Sequence, residues 1–206
     1  RHDAGDAGRG GAAGSQINGG LVLVVGDDVG RIAGDDYNDV RHYGNMFNIP
    51  VFEPSDSQEA KDLMVKAFEI SEEYSTPVIL KITSVICKTT SAVAIDESIT
   101  YKVKCRSKYK VSFSKVIMTT MMMNAKGSEH PKLTKCFHDF PAQMKRLAED
   151  CNSLDINKLE LNGKKIGVIT AGTPYFYTKE VLPDASILKV GMVMPLPEKL
   201  IRKLAE

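Results

Sequence analysis

The most regular hydrophobic pattern in the N-terminal half of the chain is a series of apolar runs between turn-forming residues. Residues 21–25 are Leu-Val-Leu-Val-Val and follow Asn18-Gly19-Gly20. A continuous apolar run rich in β-branched residues is typical of a strand that is buried on both faces of a parallel sheet. Residues 49–52 and 77–83 are further apolar runs, and they predict two more strands.

Between the second and third of these runs, the pattern becomes helical. Apolar residues recur at helical spacing from Ala60 to Ile70, which predicts a helix with one buried stripe. Ser55 and Gln58 precede it at the spacing of a capping box, in which two side chains satisfy free backbone N–H groups. Strand, helix and strand with short connections indicate a parallel α/β layer.

A second α/β unit is predicted towards the C-terminal end of the sequence. Residues 166–170 and 186–190 have the composition of strands. Between them, Thr173 is expected to be the N-cap of a helix, with Pro174 at its first position. This helix is expected to stop at Pro183.

These patterns predict an α/β protein with parallel sheets in a three-layer αβα arrangement. One more strand is expected between Val85 and Ile95, and a helix from Leu133 to Leu147, interrupted near Pro141. The predicted parts are a disordered leader (1–16), a first α/β unit (17–95), a connector with a helical segment (96–162) and the start of a second α/β unit (163–206).

Composition narrows the function classes. The chain has 27 basic and 26 acidic residues, so no nucleic-acid or anionic-membrane partner is expected. Its 4 cysteines are scattered, without a C-x-x-C pair, which fits a reducing cytoplasm better than a disulfide framework or a metal cluster. No apolar run approaches the length of about 20 residues that a membrane span needs.

Two stretches of the sequence resemble one protein family. The first extends from Asn18 to Leu80 and contains the specific run E-P-S-D-S-Q-E-A-K at residues 53–61. It resembles the later half of the pyrimidine-binding domain in the alpha subunit of indolepyruvate ferredoxin oxidoreductases, which use thiamine diphosphate. The second stretch, from Gly163 to Pro197, is similar to the start of the transketolase-C-like domain of the same family.

The resemblance implies part of a cytoplasmic enzyme that oxidatively decarboxylates indolepyruvate and related 2-oxoacids with coenzyme A. The implied cofactors are thiamine diphosphate, Mg²⁺ and 4Fe-4S clusters, and the implied protein partners are the beta subunit of the family and ferredoxin. The activating glutamate, the Gly-Asp-Gly motif and the cluster cysteines of the family have no counterpart in this sequence. The chain alone is therefore expected to contain no catalytic residue, to bind no cofactor or metal, and to be inactive.

The loop after the first strand is where the family places polar residues that face cofactor and substrate. Asp28, Asp39 and Arg41 retain this character and are the candidate cofactor-binding residues. Val29 and Ile32 stand where the family has proline and histidine, so the activity of even a longer chain is expected to be altered. The alternative is structural: the aspartates end the strand and cap the next element, and the arginine pairs with a carboxylate.

Two other groups of residues have competing interpretations. The Gly172-Thr173-Pro174 sequence at a helix start is able to bind an anion, but a simple helix cap is the preferred interpretation. His130, Cys136 and His138 are metal-ligand types, yet their spacing matches no common zinc pattern.

Three functional hypotheses follow. The chain is part of the oxidoreductase and works only within a longer polypeptide; or it is a truncated or diverged, non-catalytic remnant that serves as a scaffold or interaction module. The third hypothesis, a small-ligand-binding α/β domain, ranks last because the chain lacks a G-x-G-x-x-G fingerprint.

Overall fold

The structure, a computed structural model, describes residues 20–30, 39–95, 142–163 and 165–206 of the chain. Within these ranges the chain forms one sheet of four strands and one of three. The strands are β1 (Val22–Gly26), β2 (Val51–Phe52), β3 (Val78–Ile82), β4 (Lys158–Glu160), β5 (Gly167–Ala171), β6 (Ser186–Val190) and β7 (Met192–Met194). The helices are α1 (Val40–Phe47), α2 (Ser57–Tyr74), α3 (Ser84–Lys88), α4 (142–150), α5 (Pro174–Val181) and α6 (Glu198–Ala205).

The first sheet has the order β1-β3-β2-β7, and its first three strands are parallel. Helix α2 buries Leu63, Ala67 and Ile70 in the same apolar cluster as Phe52 and Leu80 of the sheet. This arrangement confirms the predicted α/β class and the strand, helix, strand pattern. We call β1 to β3 with α1 to α3 the first unit.

Helix α4 completes the core of the first unit. Leu147 and the adjoining Cys151 are fully buried, and both lie in the cluster that contains α2 and the sheet. Tyr74 at the end of α2 donates a hydrogen bond to Asp150, at 2.5 Å. The predicted connector therefore contributes to the core. The part of its predicted helix before residue 142 lies outside the described residues, as do the predicted leader and His130, Cys136 and His138.

The exposure of β1 differs from the sequence-based expectation. Leu23 and Val24 are 37% and 53% exposed, although their apolar run predicted burial on both faces. The reason is position, because β1 is the outer strand of the sheet and pairs only with β3 among the described strands. An apolar run predicts the strand, but it does not predict which strands flank it.

The second sheet has the order β4-β6-β5, with β5 parallel and β4 antiparallel to β6. The predicted strands at residues 166–170 and 186–190 are confirmed, as is the helix between them. We call β4, β5, β6, α5 and α6 the second unit. After β6 the chain passes through Gly191 into β7, which pairs antiparallel with β2 of the first sheet. One continuous stretch of backbone thus belongs to both sheets.

The prediction of a strand between Val85 and Ile95 is wrong. Residues 84–88 form helix α3 instead, and residues 89–95 have no regular secondary structure. Helix α3 begins directly after β3 ends, and only Ile86 of its apolar residues is buried. A short apolar run cannot by periodicity alone be assigned to a strand or a helix, and tertiary position decides here.

The cap of α2 lies one residue later than the sequence suggested. Asp56 is the N-cap, and its carboxylate accepts a hydrogen bond from Glu59 N at 2.7 Å. The Glu59 side chain in turn accepts from Ser55 N at 2.7 Å. Gln58 instead contacts Asp62 and the backbone of Ala94. Asp56 therefore supplies the helix cap in place of Ser55, and the Glu59 carboxylate accepts from the Ser55 backbone N–H that Gln58 was expected to reach.

Replacing Asp56 with alanine is expected to lower the free energy of unfolding by about 1 kcal/mol, since an orphan backbone N–H at the start of α2 loses its acceptor. Gln58→Ala is the matched control. It removes a partly exposed side chain on the same turn, and we expect a loss of less than about 0.5 kcal/mol. Urea unfolding of both variants measures the difference, and equal losses would contradict this assignment of the cap.

None of the helices in the described ranges is long and apolar enough to cross a bilayer.

Candidate functional site

The parallel strands of the first sheet end together, and polar residues follow each of them. Asp27 follows β1, Glu53 follows β2 and Thr83 follows β3. The hydrogen bond from Asp27 N to Ile82 O, at 3.0 Å, shows that the ends of β1 and β3 lie side by side. Open α/β sheets bind ligands outside the carboxyl ends of their strands. We call this group of residues the carboxyl edge.

A buried ion pair forms the centre of the carboxyl edge. Lys81 Nζ donates to Glu53 Oε1 at 2.9 Å, and the two side chains are only 2% and 8% exposed. Burial of a charged group costs several kcal/mol unless a partner of opposite charge is present, so each group requires the other. The pair also fixes the orientation of the Glu53 carboxylate, because one of its oxygens is committed to Lys81.

Two buried polar atoms at the carboxyl edge have no hydrogen-bond partner among the described residues. They are Glu53 Oε2 and Thr83 Oγ1. Buried polar atoms in proteins are nearly always satisfied, and exceptions call for an explanation. Both atoms belong to residues that directly follow neighbouring parallel strands. A ligand with hydrogen-bonding groups, or a segment outside the described ranges, would supply the missing hydrogen-bond partners.

Arg41 is a second cation near the unsatisfied oxygen. Its Nη1 lies 3.9 Å from Glu53 Oε2, beyond hydrogen-bonding distance, and its side chain is 41% exposed. Hydrogen bonding to Asp39 raises the pKa of Arg41 above its usual value. The edge thus combines a buried carboxylate with a partly exposed guanidinium, an arrangement able to accept a hydrogen bond from a ligand and to hold an anionic group.

The contacts of Asp28, Asp39 and Arg41 match the structural interpretation, in which the aspartates cap helices and the arginine pairs with a carboxylate. Asp28 Oδ1 accepts from Ser84 N at 2.7 Å, at the start of α3. Asp39 is the N-cap of α1, where it accepts from Arg41 N at 3.0 Å. The Arg41 guanidinium donates to both Asp39 oxygens, from Nη2 to Oδ2 at 2.8 Å and from Nε to Oδ1 at 2.9 Å. A cofactor-binding role for these three residues stays a prediction.

The Arg41 hydrogen bonds hold the pKa of Asp39 below its usual value. A carboxylate whose pKa is lower in the folded than in the unfolded chain stabilises the fold above the unfolded pKa, and this stabilisation disappears as the pH falls through the folded pKa. We expect Asp39→Asn to be less stable than the parent chain by about 1 kcal/mol or less at pH 7, with the difference shrinking as the pH is lowered.

Urea unfolding of the parent and of Asp39→Asn between pH 7 and the acid limit of the folded chain tests this expectation. Asp39→Ala is the comparison variant, because it removes the cap acceptor as well as the charge and should lose about 1 kcal/mol more at pH 7. A difference between parent and Asp39→Asn that does not change with pH would contradict the coupling of Asp39 to Arg41.

The described residues do not fit the magnesium–diphosphate group or the iron–sulfur clusters that the resemblance implies. No group of three or more His, Cys, Asp or Glu side chains able to hold a metal occurs in the ranges that the structure describes. Asp27, Asp28 and Asp39 each accept a hydrogen bond from a backbone N–H at the start of a helix. The described residues of this chain therefore offer no ligand set for either group.

The Gly172-Thr173-Pro174 sequence begins α5, as predicted, but Thr173 makes no side-chain cap hydrogen bond. Gly172 adopts a φ of +62°, and a Cβ there would lie 3.0 Å from Glu53 Oε1. Glycine is needed at this position, because the end of β5 approaches the Glu53 side chain closely and the backbone is left-handed. The carboxyl end of β5 in the second unit thus lies against the carboxyl edge of the first.

Sequence reasoning missed Glu53 and Lys81 as partners, and also a second lysine of the same kind. Lys81 lies in the strand sequence Val-Ile-Leu-Lys-Ile, and Lys189 lies in Ser-Ile-Leu-Lys-Val. A lysine inside an apolar strand is a usable signal, because a buried ammonium requires a carboxylate partner. The signal does not identify that partner, which for Lys81 is 28 residues away in the chain.

Comparison with known proteins confirms the resemblance stated from the sequence. The chain is 34% identical over 194 residues to indolepyruvate oxidoreductase subunit IorA of Pyrococcus horikoshii, a match that covers 91% of this chain and 29% of that protein. It is 30% identical over 201 residues to the subunit of the same name from Thermococcus kodakarensis, with 93% and 30% covered. For the Archaeoglobus fulgidus subunit the values are 29% identity over 188 residues, with 89% and 28% covered.

The chain spans less than a third of the length of these curated relatives. No protein-family profile matches the chain.

Proposed function

We propose that this chain, a relative of IorA subunits over about nine-tenths of its length, acts as part of an indolepyruvate oxidoreductase alpha subunit. The reaction proposed for the longer polypeptide is the oxidative decarboxylation of indolepyruvate and related aryl pyruvates with coenzyme A. Electrons would pass through 4Fe-4S clusters to ferredoxin. Thiamine diphosphate and Mg²⁺ would be bound by that polypeptide with its beta subunit, in the cytoplasm.

The observation that carries this proposal is the extent and consistency of the sequence relationship. Every relative found carries the same subunit name, and each match covers about nine-tenths of this chain. A match over both α/β units, in one order and over such a length, is more specific than any short glycine motif. The α/β architecture by itself would support many functions.

The proposed contribution of this chain is to hold a polar edge in place rather than to perform the chemistry. Glu53 is fixed by Lys81 and presents a second oxygen that lacks a donor among the described residues. Arg41 lies beside it with part of its guanidinium exposed. We propose that Asp28, Asp39 and Arg41 lie next to the cofactor pocket, with Asp39 orienting Arg41 and Asp28 fixing the start of α3.

The proposal is tested by reading the transcript outwards from both ends of this coding region. An in-frame Gly-Asp-Gly…Asn motif and clustered cysteines downstream would support an oxidoreductase subunit, since these elements would bind Mg²⁺-diphosphate and the clusters. A stop codon directly after this region would contradict it.

The alternative function is a non-catalytic remnant that serves as a scaffold or interaction module. It is favoured by the replaced residues of the loop after β1, where Val29 and Ile32 stand in place of the proline and histidine of the family. The two functions differ in one binding property. A longer polypeptide that holds thiamine diphosphate and iron belongs to the first, and one that holds neither belongs to the second.

A further inference from the structure

Residues 53–59, from the end of β2 into the first turn of α2, carry acidic residues that pair with lysines of both sheets. Glu53, at its start, pairs with Lys81 of the first sheet. Glu59, in the first turn of α2, pairs with Lys189 from β6 of the second sheet. One short segment thus supplies the carboxylate partners for a buried lysine in each sheet.

The geometry around Glu59 directs one oxygen at Lys189. Glu59 Oε2 accepts hydrogen bonds from Ser55 N at 2.7 Å and from Ser55 Oγ at 2.6 Å. This leaves Oε1 for the Lys189 ammonium, which also lies 5.5 Å from the centre of the Tyr175 ring. The orientation of the Glu59 carboxylate is therefore fixed by hydrogen bonds within its own segment, without any contact from the second unit.

Lys189 depends on this contact. It occupies β6, the middle strand of the second sheet, and its side chain is only 3% exposed. Burial lowers the pKa of Lys189 to about 8, and the nearby Asp56 carboxylate opposes this shift. Without the Glu59 carboxylate, the buried ammonium would lose the acidic side chain that it contacts, so the ion pair favours a position of the second sheet against the start of α2.

In this position the second unit contacts the carboxyl edge of the first. With the second unit in place, Gly172 at the end of β5 lies against the Glu53 side chain. The backbone supports the same arrangement, because Glu53 N donates to Gly191 O at 2.9 Å. The two units therefore meet where polar residues of the first sheet are concentrated.

We propose that the Glu59–Lys189 ion pair is the joint that holds the second unit in position on the first, and so brings the carboxyl end of β5 onto the carboxyl edge. Both are positioning residues. Their role in the assembly of the two units requires no cofactor or substrate and is therefore independent of the proposed enzymatic function.

Hydrogen–deuterium exchange of the full chain tests this joint. In Lys189→Met, amides of β5, β6 and α5 are expected to exchange at least about tenfold faster, while amides of β1 and β3 keep their rates. Lys66→Met, which breaks the exposed Lys66–Glu69 pair on α2, is the matched control and should change neither set. Lys189→Arg retains the cation and should resemble the parent chain.

Unchanged exchange in Lys189→Met, or an equal increase in both units, would overturn the proposal. Should Lys189→Met fail to fold, the same measurement on Glu59→Gln decides, because glutamine keeps a carbonyl acceptor for Ser55 and removes only the charge. Selective loss of protection in the second unit would support the joint. Equal or absent changes would overturn it.

Discussion

Lys81→Met is expected to lower the free energy of unfolding by about 3–5 kcal/mol, because it leaves the Glu53 carboxylate buried without a cation. Glu53 is 8% exposed, and Lys81 Nζ is the ammonium at 2.9 Å that offsets its burial. Arg41 is too distant to replace it, with Nη1 at 3.9 Å from the other carboxylate oxygen. Methionine fills a similar volume, so the loss reports the charge rather than a cavity.

Two comparison variants make this result specific. Glu53→Gln/Lys81→Met removes both charges, and we expect it to recover much of the loss, since no unpaired ion remains. Lys66→Met breaks an ion pair of similar length, 2.8 Å, on the exposed face of α2, where about 0.5 kcal/mol or less is expected. A loss below about 1 kcal/mol for Lys81→Met would show that Glu53 does not depend on Lys81.

Gly191→Ala is expected to lower the free energy of unfolding by about 3 kcal/mol, because the backbone between β6 and β7 has no room for a side chain. An added Cβ would lie 2.4 Å from Ile156 O and 3.0 Å from Ile156 Cγ2. The backbone at Gly191 cannot easily move away from Ile156, since Gly191 N donates to Asn157 Oδ1 at 3.0 Å. The clash is therefore expected to disturb the stretch of chain that joins the two sheets.

Gly26→Ala is the matched control for the glycine prediction. Gly26 ends β1, and a Cβ there would have no neighbour within 4 Å. We expect its stability to change by less than about 0.5 kcal/mol. Urea unfolding of the two variants gives the comparison, and a tolerated alanine at residue 191 would contradict the close approach of Ile156.

The elements that local pattern could predict are those whose burial follows from their own sequence. Residues 78–82 form the expected strand, and α2 buries part of the expected stripe, because apolar spacing is a local property. Phe68 of that stripe is nevertheless 44% exposed. β7 is different: Met192–Met194 pairs with β2, far away in the chain. Its three residues carry no period long enough to indicate a strand, and only the tertiary arrangement reveals it.

Only part of the carboxyl edge could be predicted from the sequence. Asp28 and Asp39 were candidates because they keep the polar character of the family's loop after the first strand, and their contacts are those of helix caps. Glu53 and Lys81 were not identified as a pair, because their contact depends on the register of β2 beside β3. That register places residues 53 and 81 side by side, and no pattern within either strand contains it.

The most direct test of the central claim is isolation of the native polypeptide that carries this sequence, with an antibody against residues 142–206. Its length and its indolepyruvate-dependent reduction of a viologen dye in the presence of coenzyme A would be measured on the same sample. We expect a polypeptide several times longer than this chain that reduces the dye and contains thiamine diphosphate and iron, and this result would support the proposed function. A polypeptide of only 206 residues, without cofactor and without dye reduction, would contradict it.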